Sequence, residues 1–144
     1  MSAGLLAESH GHLVFIGSLA SKIAARYLGA YPTSKFPLAA LAQQLRLEMG
    51  PKGLHVLLSC PGPIARADAG QRYDERAAGL PESARKPGGG VKLTGIEPAW
   101  LAEKILFACQ RRRSELVVPG RARLLCAIGQ LSPALGDWLV RRFT

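Results

Sequence analysis

The sequence predicts an α/β fold, a partial doubly wound arrangement of about three parallel strands with flanking helices in a single domain, 1–144. Three observations carry this prediction. Short apolar runs recur at 12–18, 54–60 and 115–119, stretches with helical periodicity lie between them, and strands and helices alternate along the chain. Alternation of that kind implies parallel strands joined by right-handed crossovers, with helices covering the sheet.

The first run, HLVFIGS, reads as a buried strand closed by a small polar turn at Gly17-Ser18. From Tyr31 to Met49, Leu38, Leu41, Ala42, Leu45 and Met49 recur at three- and four-residue spacings, with Gln43, Gln44, Arg46 and Glu48 opposite. This spacing predicts an amphipathic helix, ended by Gly50-Pro51 and disturbed near its start by Pro37. LHVLLSC then forms a second buried strand, stopped by Pro61-Gly62-Pro63. Between 64 and 95 the periodicity is lost and Gly88-Gly89-Gly90 appears, which predicts a long loop with a short helix around 67–78. A helix over 97–113, opening at Thr94 or Glu97-Pro98, and a short strand ELVVP follow. The tail 121–144 is helical in pattern but interrupted at Ser132-Pro133.

Composition narrows the function classes. With 48% hydrophobic residues, 20% charged residues and a mean hydropathy of +0.10, the chain has material for a core, which excludes disorder for its bulk. No apolar stretch approaches the roughly 20 residues of a bilayer span, and the N-terminal residues lack the basic start of a secretory signal. The expected location is cytoplasmic. Cys60, Cys109 and Cys126 lie in apolar contexts without a C-x-x-C pair, which predicts buried reduced thiols and no metal site.

The net charge of +9 is unevenly spread: 5 basic and 2 acidic groups over 1–60, 6 and 6 over 61–103, 8 and 2 over 104–144. Arg111-Arg112-Arg113 therefore reads as the cationic end of a helix, and no nucleic-acid partner is expected. In the tail, Leu124, Leu125, Ile128, Leu131, Leu135, Trp138, Leu139 and Phe143 are flanked by Arg121, Arg123, Arg141 and Arg142. That mixture suits either cover for a cleft or subunit contact, or peripheral membrane contact through 121–143.

The chemistry concentrates at the first strand and the helix after it. Ser18 closes the strand, Tyr31 follows at the helix start, and Lys35 stands one turn further on the same face. A cation beside a phenol favours the phenolate, so Tyr31 is a candidate general acid/base. A serine hydroxyl can hydrogen-bond the same reacting oxygen.

The segments VFIGSLASKIAARYLGAYPTSKFPLAALAQQLRLEM and HVLLSCPGPI resemble the short-chain dehydrogenase/reductase family over residues 13–64. The resemblance implies a Rossmann-like sheet and an oxidoreductase that interconverts a carbonyl and an alcohol with NAD or NADP. It assigns Ser18 to polarising the carbonyl, Tyr31 to moving the proton, and Lys35 to lowering the pKa of that tyrosine and holding the nicotinamide ribose. Pro61, Gly62, Pro63 and Ile64 would support the nicotinamide through backbone groups. It further implies a catalytic strand-helix-strand over 12–64, a substrate loop over 65–95, a last helix, strand and helical tail over 96–144, and a homodimer contact on the helix 31–49.

Two departures stand out. Family members often carry a hydroxyl residue five positions after Pro61, where this chain has Arg66. Residues 1–11 supply neither the family's glycine-rich phosphate turn nor its active-site Asn, and amount at most to the last turn of the helix that carries that Asn. The resemblance therefore covers the family's C-terminal half. A non-catalytic half-domain acting through oligomerisation or a partner is the alternative.

Overall fold

Seven consecutive residues from His55 to Pro61 are all buried, and this strand lies at the centre of the sheet. The computed structural model describes residues 2–67, 79 and 94–143. The short helix expected at 67–78, the Gly88–Gly90 run and most of the segment 65–95 lie outside the described residues.

The elements in order are α1 (Ser2–Glu8), β1 (His12–Ile16), a 3-10 turn (Leu19–Ser21), α2 (Ala30–Met49), a second 3-10 turn (Gly50–Lys52), β2 (His55–Pro61), α3 (Pro98–Gln110), β3 (Glu115–Val118), α4 (Ala122–Leu131) and α5 (Pro133–Phe143). The strands form one parallel sheet in the order β1-β2-β3, with His12 opposite His55 and Leu58 opposite Glu115.

Alternate residues of β2 serve opposite layers, as the two-residue repeat of a strand requires. Val56, Leu58 and Cys60 pack with Leu13 and Phe15 of β1, Ala42, Ala39, Leu45 and Met49 of α2, and Ala7 of α1. Leu57 faces the other way, against Ala108, Cys109 and Ile105 of α3, with Val14 and Leu116 beside it. Helices thus cover both faces, the doubly wound arrangement.

Several expectations change in detail. Leu41 is exposed and Ala39 takes its place towards the core, because the sheet-facing stripe of α2 runs through 39, 42, 45 and 49. α1 has 7 residues, nearly two turns rather than one. The uniformly right-handed winding fails as well. The crossovers β1-α2-β2 and β2-α3-β3 step the same way across the sheet, yet α2 and α3 lie on opposite faces. They therefore have opposite hands. The connection between β2 and α3 is 36 residues long, 62–97, and the preference for a right-handed crossover belongs to strands joined directly through a packed helix.

α3 begins at Glu97-Pro98: the Glu97 carboxylate accepts the backbone N–H groups of Ala99 and Trp100, and these hydrogen bonds hold its pKa below the usual range. The helix ends in the arginine triplet. Arg112 takes φ 46°, its N–H bonds the Cys109 carbonyl and the Arg113 N–H bonds that of Ala108. This is a Schellman end with arginine where glycine is usual. The tail forms a hairpin in which α4 and α5 meet at Gly129 and Gly136.

Candidate active site

Ser18 sits where β1 turns. Gly17 donates its N–H to the Ser59 carbonyl at 2.8 Å, and a Cβ there would lie 2.7 Å from Ser21 Oγ and 3.1 Å from that carbonyl oxygen. Glycine lets the chain approach β2 this closely without displacing the Ser21 side chain or the Ser59 carbonyl. Ser18 then caps the 3-10 turn: its Oγ accepts the Ala20 N–H at 3.2 Å, and its own N–H bonds Ser21 Oγ at 3.1 Å. Its hydroxyl proton can still be donated. The turn packs directly on α2, so Ser18 is held beside the helix that carries the other two candidates.

Tyr31 and Lys35 occupy the first turns of α2. The Lys35 Nζ lies over the Tyr31 ring, 5.7 Å from its centroid, and Tyr31 is 44% exposed. The four-residue helical spacing brings the pair together as expected. Pro37 is accommodated inside the helix, which continues unbroken to Met49.

At the same end of the sheet, Pro61 closes β2 and the chain continues through Gly62 and Pro63 to Ile64. The Gly62 N–H bonds the Val118 carbonyl at 2.7 Å, the Ile96 N–H bonds the Pro63 carbonyl at 2.8 Å, and the Ala65 N–H bonds the Ile96 carbonyl at 2.8 Å. Ile64 and Ile96 form a parallel bridge. In such a bridge the flanking groups on 63 and 65 do the pairing, so the N–H and C=O of Ile64 itself point away from Ile96. Within the segment assigned to the nicotinamide, the Gly62 N–H and Pro63 carbonyl are thus committed to the sheet, and Ile64 presents both backbone groups.

All three cysteines are free and buried. Burial pushes the Cys60 thiol up to about 11, with Glu115 adding to the effect, and raises Cys109 and Cys126 too. These thiols are poor nucleophiles.

The fold also assembles a group that the spacing of cysteines and histidines did not reveal. His12, His55 and Cys109 bring their ligand atoms within 4.8 Å of one another, at the opposite end of the strands from Ser18. A signal was present: both apolar runs open near a histidine, and parallel strands in register set the two side by side.

Residues 1–77 match the family described as short chain dehydrogenase, and the chain belongs to that family. It is similar to the dehydrogenase/reductase SDR family protein 7-like of Drosophila melanogaster, 27% identical over 96% of this chain and 41% of that one. It is 26% identical to the ketoacyl reductase HetN of Nostoc, over 96% of this chain and 46% of the relative. Among solved structures, a short chain dehydrogenase from Burkholderia cenocepacia in complex with NADP superposes with a TM-score of 0.67 at 17% identity, covering 93% of this chain and 49% of that one. The fold is that of these Rossmann-type enzymes, and the chain spans about half the length of the relatives it matches.

Proposed function

We propose that the chain is the catalytic half of a short-chain dehydrogenase that interconverts a small-molecule carbonyl and an alcohol with NAD or NADP. The observation that carries this reading is the Lys35 ammonium over the ring of Tyr31 at the start of α2, with the Ser18 turn packed on the same helix. In this reading Tyr31 gives its hydroxyl proton to the substrate oxygen as the carbonyl is reduced, and takes it back in oxidation. Ser18 donates a hydrogen bond to the same oxygen. Lys35 stabilises the phenolate that remains and holds the nicotinamide ribose. The backbone N–H and C=O of Ile64 complement a carboxamide, which has one acceptor and two donors. Bound nicotinamide would supply or accept the hydride. These donors fit the nicotinamide part of the cofactor; the sequence of this chain offers no glycine-rich turn for its pyrophosphate. Residues 65–95 are assigned to the substrate, and the exposed side chains of α2, among them Phe36, Leu41 and Leu47, to a homodimer contact in the cytoplasm.

The test is carbonyl reduction by the longest reading frame that contains the chain. Tyr31→Phe should cut turnover about 100- to 10,000-fold, the range of a general acid/base, while NAD(P)H binding persists. Retained turnover would overturn the assignment.

A second reading is peripheral membrane contact, favoured by the α4–α5 hairpin. Leu131 is 87% exposed, Leu124 and Trp138 are exposed with it, and Arg121, Arg123, Arg141 and Arg142 lie at the ends of the hairpin. No helix among the described residues is long and apolar enough to cross a membrane. Pelleting with anionic but not neutral vesicles is the expected result, and failure to pellet with either removes this reading.

A further inference from the structure

At the end of the sheet where the strands begin, His12 and His55 are registered partners of adjacent parallel strands, on the face that α3 covers. Their rings meet edge to face, with centroids 4.8 Å apart, and their Nδ1 atoms approach to 2.7 Å. The Nε2 of His55 lies 2.8 Å from the Arg113 carbonyl. A carbonyl only accepts, so Nε2 carries the proton and the Nδ1 of the neutral ring presents a lone pair. Cys109, in the last turn of α3, completes a set of three ligand atoms within 4.8 Å of one another.

We propose that His12, His55 and Cys109 form a binding site for a thiophilic divalent transition-metal ion such as zinc, held by one ring nitrogen of each histidine and the cysteine sulfur, with solvent in the fourth position. Two imidazoles and a thiolate are a donor set that zinc accepts, and three protein ligands with an open position are a familiar coordination. The Arg113 carbonyl is the independent sign. A metal-ligating histidine usually donates its other ring N–H to a carbonyl or carboxylate, which fixes the tautomer and aims the free nitrogen. That bond is already made here.

The fit needs small movements. Zn–N bonds of about 2.0–2.1 Å and a Zn–S bond of about 2.3 Å place tetrahedral ligands about 3.3–3.6 Å apart. The histidine nitrogens must therefore separate slightly and the sulfur move inward; His12 is exposed and has room to shift. The protons balance without redox chemistry. In the ion-free pair His12 donates its Nδ1–H to His55; on binding, that proton is exchanged through solvent for one on Nε2, and Cys109 releases its thiol proton to solvent. Arg112, anchored by Nη2 to the Gly53 carbonyl at 2.8 Å, brings a positive charge towards His55 that opposes the ion. A bound ion would tie β1 to β2 and α3 at this end, away from the oxidoreductase chemistry.

The experiment is a Co²⁺ titration of the tag-free, chelator-washed chain. The expected result is saturation at one equivalent, with intense tetrahedral visible bands, a thiolate-to-cobalt charge-transfer band, and displacement by Zn²⁺. Cys109→Ala should lose the charge-transfer band while Cys126→Ala keeps it, and His12→Ala, which leaves the core intact, should weaken binding at least about tenfold. Circular dichroism verifies that each variant is folded. Absence of saturable binding, weak octahedral bands without the thiolate band, or unchanged affinity in His12→Ala would overturn the proposal and leave a hydrogen-bonded histidine pair.

Discussion

His55 shows how one buried group links fold to pH. Burial is the largest cause holding its pKa below 6.5; the charges of His12 and Arg112 act the same way, and the hydrogen bond to Arg113 only partly opposes them. Since the folded value is depressed, the unfolded chain binds the proton more readily, and stability rises with pH through this window. The contribution is present above the unfolded pKa, near 6.5, and is lost as pH falls through the folded value. Thermal unfolding followed from pH 8 to 5 should show falling stability below about pH 6.5, and His55→Gln should flatten that slope. Ser59 gives a second prediction at this scale. It is fully buried in β2, and its Oγ has no hydrogen-bond partner among the described residues. An unsatisfied buried hydroxyl costs about 1–3 kcal/mol, so Ser59→Ala should raise the unfolding midpoint in denaturant without changing its slope. What the sequence made legible at this scale was the Tyr31 and Lys35 pair, because helical spacing alone brings it together. The His12, His55 and Cys109 group was not legible, since it depends on strand register and on which face α3 covers.

The elements themselves were largely readable, and their ends were not. Periodicity located the three strands and the helices, because burial of one stripe or one strand leaves a direct trace in residue type. The end of the first strand is the exception: β1 stops at Ile16, and Gly17 and Ser18 lead into the turn that the sequence places there. α3 stops at Gln110 because its carbonyls are satisfied by a left-handed turn at Arg112, where the sequence has arginine instead of the usual glycine signal. The meeting of α4 and α5 was likewise hidden, since a glycine inside a helical pattern reads as a weakness. A Cβ on Gly136 would lie 2.6 Å from the Gly129 Cα, so the two backbones are in direct contact. Gly136→Ala should therefore destabilise the hairpin by about 1–3 kcal/mol, the cost of overpacking, despite alanine's better helix propensity. Chemical denaturation measures the loss; an unchanged or raised midpoint would show that the helices slide apart at little cost.

At the scale of the molecule, the sheet is asymmetric in how its strands are partnered. β2 has neighbours on both sides and every residue buried, whereas β1 pairs among the described residues only with β2. Ile16, at the end of β1, is 51% exposed. An apolar parallel strand with one open edge presents unpaired N–H and C=O groups to any other strand, and the strands of parallel sheets, covered on both faces, are rich in apolar residues. This chain, which spans about half the length of its relatives, should therefore associate through that edge, with itself or with a segment that supplies the adjoining strand. The two possibilities separate in one measurement. Light scattering behind size-exclusion chromatography should show the chain as an oligomer whose population rises with concentration. Ile16→Lys, which places a charge on the edge, should weaken association through β1, and Leu47→Lys should weaken the homodimer contact proposed for the outer face of α2. If the lysine on α2 rather than the one on β1 dissolves the oligomer, the helix face is the contact and the edge is protected by other means. A monomer at all concentrations would show that β1 is stable with a single neighbour.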